Sequence, residues 1–230
     1  MKTLAILDTE TTGLDPSKDA CIEVACVLYD IEHAAPVESF ASLIRAKGNA
    51  AEAVNRIAPP LLERAPAQVA VWGVVRGIIE RADAVVAHRA EFDRSFVPSE
   101  LRTLRPWVCS KFDIEWPHGK AGDHLVHLAL AHGLGVLHAH RALTDCDTLV
   151  RLFQRVAELG GDVPAMLARA MRPKVTVIAQ VSYDDREKAK AAGFAWDPSG
   201  KFWHRAMARE DVAALPFPTR EARPLPTGAP

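Results

Sequence analysis

Leu4-Ala5-Ile6-Leu7 is an uninterrupted apolar run ending at Asp8, the pattern of a strand buried on both faces. Asp15 to Asp19 is turn-rich, and Ile22, Val24, Cys26 and Leu28 then alternate with Glu23, Ala25 and Val27, which predicts a second strand. Pro36 breaks it, and Val37 to Ile44 predicts a third strand returning alongside in an antiparallel meander. From Ala50 the spacing turns helical. Pro59-Pro60 interrupts it, and Val71, Val74, Val75, Ile78 and Ile79 mark a helix from about Ala67 to Glu80. Ala84 to Ala87 predicts a fourth strand that feeds a helix stopping before Pro98, and Trp107 to Ile114 a fifth. A helix over Leu125–Leu130 follows, then a long amphipathic one through Leu149, Phe153 and Val156, closed by Gly160-Gly161. Strands first, then strand–helix alternation, predict a mixed α/β fold with helices on the faces of one sheet.

The pattern changes after residue 160. Residues 1–160 are expected to form the main domain, with 161–173 as a helical connector. Residues 174–215 form a small α+β module: a strand at Val175–Ala179, a helix at Arg186–Ala192 and a hairpin turning at Asp197-Pro198-Ser199-Gly200. Trp196 and Trp203 are expected in its core. Residues 216–230 are proline-rich and expected to be disordered or extended.

A net charge of -1 argues against a protein that coats duplex nucleic acid, but not against a local site that handles phosphates through metals. No apolar stretch approaches the roughly 20 residues of a membrane span. Cys21, Cys26, Cys109 and Cys146 form no Cys-x-x-Cys pair and suit reduced thiols in a cytoplasmic core. The spacing of His118, His124, His127, His132 and His138 matches no familiar zinc site.

Chemistry concentrates where the first strand ends. Asp8 and Glu10 are two apart, so on a strand they leave one face with carboxylates close enough to share a cation. Asp93 and Asp145 also stand where apolar elements begin or end. Taken singly, each has an ordinary explanation in the first turn of a helix.

Together, Asp8-Thr9-Glu10-Thr11-Thr12-Gly13, His88-Arg89-Ala90-Glu91-Phe92-Asp93 and His140-Arg141-Ala142-Leu143-Thr144-Asp145 resemble the three sequence blocks of the DEDDh 3′–5′ exonucleases. This family includes the proofreading subunit of bacterial replicative polymerases. The resemblance covers residues 1 to about 158. It departs at Arg89, where the second block often has asparagine; Arg89 is expected to be solvated, with contact to a phosphate as the alternative. The resemblance implies a ribonuclease H-like five-stranded sheet and two divalent cations, Mg²⁺ or Mn²⁺. It implies Asp8 bridging both ions, Glu10 and Asp145 on the first, and Asp93 on the second. It also implies His140 as general base, a role that histidine, titrating near about 6.5, suits at neutral pH. Thr11, Thr12, Gly13 and Leu14 are candidates for gripping a 3′-terminal nucleotide, with His88 and Phe92 beside them.

The implied substrate is a single-stranded or frayed DNA 3′ end, and the implied partner a DNA polymerase or another replication or repair protein. An exoribonuclease with the same site is the alternative. A non-catalytic nucleic-acid or polymerase-binding module is a third reading, opposed by the complete set of carboxylates with His140.

Overall fold

The computed structural model describes residues 1–136 and 140–222. Among the described residues, nine strands fall into two sheets. The first comprises β1 (Thr3–Thr11), β2 (Cys21–Asp30), β3 (Ala35–Leu43), β4 (Ala84–Ala87) and β5 (Trp107–Cys109), in the order β3-β2-β1-β4-β5. β1, β2 and β3 form the antiparallel meander, while β4 joins β1 and β5 joins β4 in parallel. The fold expectation holds in strand count and in mixed strand direction.

β1 is apolar on both faces because both are covered. Leu4 and Ile6 pack with α6 (Ala142–Glu158), whose Cys146, Leu149 and Phe153 are buried. Ala5 and Leu7 pack with α3 (Gln68–Arg81) through Val71, Val75, Ile78 and Ile79. Each fully buried aliphatic side chain contributes about 1.5–3 kcal/mol of transfer free energy, so the two layers fix β1 as the central strand.

Short elements connect these: α1 (Glu52–Asn55), α2 (Pro59–Arg64), α4 (Ala90–Phe96) and α5 (Leu125–Ala131). Pro59 begins α2 rather than breaking a helix, since proline at the first helical position forfeits no intrahelical bond. β5 is shorter than expected, because the chain after Cys109 leaves the sheet in turns closed by Asp113, which accepts from the Cys109 N–H at 2.9 Å.

The second sheet has the order β7-β8-β6-β9, with β6 (Lys174–Ala179), β7 (Ala195–Asp197), β8 (Phe202–Ala208) and β9 (Thr219–Glu221). α8 (Arg186–Ala191) covers it, and Val177, Ala189, Phe194 and Met207 form its small core. The helical connector is α7 (Val163–Ala170), whose Val163, Leu167 and Ala170 are buried in the same cluster as Phe153. Two expectations need correction here. Part of the proline-rich stretch is ordered, because Thr219–Glu221 pairs antiparallel with β6 and Phe217 meets Phe194 edge to face at 5.4 Å. Trp196 faces outward, 46% exposed, and meets Trp203 across the hairpin at 5.5 Å rather than filling the core. Residues 223–230 and His138 lie outside the described residues.

The two sheets are joined by directed contacts. Arg205 donates to the Phe112 carbonyl at 2.7 Å, Lys174 pairs with Asp113, and Arg172 donates to Glu210 at 2.6 Å. No helix among the described residues is long and apolar enough to cross a membrane.

Candidate active site

The C-terminal half of β1 turns polar where its apolar run ends. Asp8 and Glu10 continue the face that Leu4 and Ile6 present to α6, and that helix brings Asp145 in its first turn. His140 stands just before α6. One ligand atom from each of Glu10, His140 and Asp145 lies within 4.8 Å of the others. Asp93 arrives from α4 and is buried. Its Oδ1 accepts from the Thr9 backbone N–H at 3.1 Å and the Thr9 hydroxyl at 2.8 Å, which clamps α4 to β1.

The electrostatics are those of too many carboxylates in too little water. Burial first, and then the charges of Asp93, Asp145, Glu10 and Glu23, push the Asp8 carboxyl well above its usual range. Burial, with Asp145 and Glu23 next, raises Glu10 to about 8. Burial raises Asp93 to about 7 against the two hydrogen bonds from Thr9. Burial raises Asp145 to about 6, while the backbone and imidazole of His140 pull it down. Crowded carboxylates hold protons unless a cation replaces them. A hard donor set of carboxylate oxygens, with one imidazole beside them, fits Mg²⁺ or Mn²⁺.

The Thr11–Leu14 stretch is placed beside this group, but its polar atoms are partly engaged. The Thr11 hydroxyl donates to the Gly13 carbonyl at 2.6 Å, and the Thr12 hydroxyl donates to Asp19 at 3.2 Å. A Cβ at Gly13 would sit 2.4 Å from the Asp19 carboxylate, so glycine is required by that side chain. Leu14 is 76% exposed, an apolar side chain left open beside the carboxylates.

Phe92 is half-buried, with Phe96 at 5.0 Å and the Arg89 guanidinium 5.1 Å from its ring centre. His88 is directed elsewhere. Its Nδ1 meets the Ser110 hydroxyl at 3.0 Å and its Nε2 the Asp123 carbonyl at 3.1 Å. Burial and the nearby Lys111 lower it to about 4, so it is neutral and ties β4 to the loop before α5.

A family model described as Exonuclease matches residues 5–153, well over half of the chain. The chain belongs to the exonuclease family. It is 30% identical over 158 residues to DNA polymerase III subunit epsilon of Treponema pallidum, covering 64% of this chain and 72% of that protein. It is 29% identical to 3′-5′ exonuclease DinG of Staphylococcus aureus, over 66% of this chain and 18% of that protein. It spans only 12% of the PolC-type DNA polymerase III of Thermotoga petrophila. Among solved structures it is similar to Exonuclease X in complex with 5′ overhanging duplex DNA, with a TM-score of 0.57 and 27% identity, over 73% of this chain and 99% of that one. The sheet order and flanking helices are those of the ribonuclease H-like exonucleases. Residues 175–221 match a second model, described as a domain of unknown function, DUF8626.

Beside the family blocks, the fold adds Glu23, directly opposite Glu10 in the β1–β2 register and 4% exposed. Its carboxylate accepts from Arg141 Nη2 at 2.7 Å, from Arg141 Nε at 3.1 Å and from the Ala142 backbone N–H at 3.1 Å. The signal was present in the sequence as one acid inside an otherwise apolar strand. Buried Asn55 was not foreseen either. It donates to the Thr11 carbonyl at 3.1 Å and so pins the start of the Thr11–Leu14 stretch.

Proposed function

We propose that the chain is a metal-dependent 3′–5′ exonuclease that removes nucleoside monophosphates from single-stranded or frayed DNA 3′ ends. The observation that carries the reading is the convergence of Glu10, His140 and Asp145 within 4.8 Å, next to Asp8 and Asp93, at the polar end of the central strand. Asp8, Glu10, Asp93 and Asp145 are the residues that would hold two divalent cations. When bound, such ions activate water and stabilise the charge gathering on a phosphoryl group in flight. The protein's own share is positional. The carboxylates give up their protons to accept cations, and His140 Nδ1 or Nε2 takes the proton of the attacking water. The backbone of Thr11–Leu14 and the open Leu14 side chain seat the terminal nucleotide, contacts indifferent to base identity.

The relative named as a polymerase III subunit supports a further step, that the chain works beside a DNA polymerase. The test of the core reading is direct. With Mg²⁺ or Mn²⁺, 5′-labelled single-stranded DNA should shorten from its 3′ end, chelator should stop the reaction, and Asp8→Ala should abolish it. Degradation of RNA in preference to DNA would replace the substrate with RNA. Full activity of Asp8→Ala would sink the metal mechanism.

A further inference from the structure

Between α4, the chain after β5 and the second sheet lies a cleft of about 850 Å³. Six cationic side chains line it: Arg89, Arg94 and Lys111 from the exonuclease domain, and Lys174, Lys190 and Arg205 from the second sheet and its helix. Among the described residues, the only acids lining it are Glu91 and Asp113, and Asp113 is already paired with Lys174. Among the described residues, Arg89, Arg94 and Lys111 are in no ion pair, and the Lys190 partner Glu187 is 3.8 Å away on an exposed helix. Arg205 donates across to Phe112 O and within its own unit to Ala192 O, and its Nε is buried with no hydrogen-bond partner among the described residues. Burial and then the charge of Arg89 pull the Lys111 ammonium below its ordinary value, with Asp123 only partly opposing them.

The cleft also has aromatic floor. The rings of Phe92 and Phe112 lie under cations: Arg89 is 5.1 Å from Phe92, and Lys111 is 5.8 Å from Phe112. Its position relative to the catalytic carboxylates is fixed by α4, which carries Arg89 just before its first residue, Phe92 into the cleft and Asp93 to the site. Cations spread along two walls, rather than gathered at one point, suit a chain of phosphates more than a single small anion. Aromatic rings between them suit bases.

We propose that this cleft is the track for a nucleic-acid strand upstream of the 3′ end under attack, and that the domain of unknown function over residues 175–221 is there to supply its second wall. The proposal rests on the reading that the chain acts on polynucleotide ends. It assigns the second sheet to substrate grip instead of partner docking.

The experiment uses the full chain. Binding of a fluorescein-labelled oligonucleotide of roughly 20 nucleotides is followed by anisotropy in EDTA across a salt series, so no cleavage is needed. The double variant Arg94→Glu/Lys190→Glu, one residue from each wall, should weaken binding at least about tenfold. It should also flatten the slope of log Kd against log salt by about 1.4, at about 0.7 per lost phosphate contact. The charge-keeping variant Arg94→Lys/Lys190→Arg should bind as the parent does. Hydrolysis of the p-nitrophenyl ester of thymidine 5′-monophosphate, too small to reach the cleft, should be unchanged in both. Unchanged Kd and salt slope in the double variant overturn the proposal. So does a parallel loss of ester hydrolysis, or equal binding by an acidic peptide of matched charge. A parent protein that binds the oligonucleotide but hydrolyses nothing refutes the exonuclease reading alone, and the binding comparison still decides the cleft.

Discussion

His140 is held at φ 66°, in the left-handed region that non-glycine residues rarely adopt. Such a conformation costs on the order of 1–3 kcal/mol and persists where its surroundings impose it. Here it turns the imidazole out of line with α6, so that histidine and Asp145 meet Glu10 together, although they stand five positions apart in sequence. A residue five positions earlier on one continuous helix would point well away. If His140 takes the proton from water, His140→Ala should lower kcat by about 10²–10⁴ with little change in KM, the usual worth of a positioned general base. Steady-state kinetics on a single-stranded oligonucleotide checks this. A rise in KM alone would make His140 a substrate contact.

At the scale of elements, the question is what holds the start of α6 against the sheet. No side chain of the helix itself caps it. The cap comes from β2: Glu23 accepts the Ala142 N–H and grips Arg141 through two nitrogens. Glu23 thus fixes Arg141 and Ala142, the first two of the four residues between His140 and Asp145. Glu23→Gln keeps the shape but loses the charge-assisted bonds. It should cost about 1–2 kcal/mol of stability and lower kcat about tenfold with KM nearly constant. Thermal unfolding and steady-state kinetics together check it, and an unchanged kcat would reduce Glu23 to a structural role. This pair also marks how far the sequence can be read. β1, β2, β3, α3 and α6 were legible because their apolar periodicity is long and each buries one defined face. The carboxylates Asp8, Glu10, Asp93 and Asp145 were legible because short blocks carry them. Glu23 was hidden because its meaning depends on register: only the pairing of Glu10 with Glu23 puts it beside the site. β9 was hidden because three residues, Thr219 to Glu221, gain strand form only from the β6 edge they cover. The burial of Leu167 in α7 was hidden because eight residues show too little period to reveal which face packs inward.

For the whole molecule, the metal-free protein carries its active site as a stability defect that grows with pH. Glu10 is raised to about 8, Asp93 to about 7 and Asp145 to about 6, and Asp8 is raised well above its usual range. A carboxyl raised in the folded state binds its proton more tightly there than in the unfolded chain. Folding is therefore favoured below about pH 4, and that advantage is lost as pH rises through the folded values, from about 6 to about 8. His88, lowered to about 4, acts in the opposite direction, since its neutral form is the folded one. Its contribution grows as pH rises and is complete above about 6.5, the ordinary value for histidine. The interval from pH 6.5 to 8.5 thus isolates the carboxylates. In EDTA, Tm should fall across it by ~5 °C, taking ~2 kcal/mol and about 2–4 °C for each kcal/mol in a chain of this size. Saturating Mg²⁺ or Mn²⁺ should raise Tm at every pH, and by most at pH 8.5, where cation binding displaces fewest protons. Differential scanning fluorimetry with and without cation, at four or five pH values, measures both trends. In Asp8→Asn/Asp93→Asn the EDTA slope should shrink and the cation should add little. A Tm in EDTA that stays level or rises from pH 6.5 to 8.5 would mean that the buried carboxylates are not strained against one another, and the case for a cation-holding site would go with them.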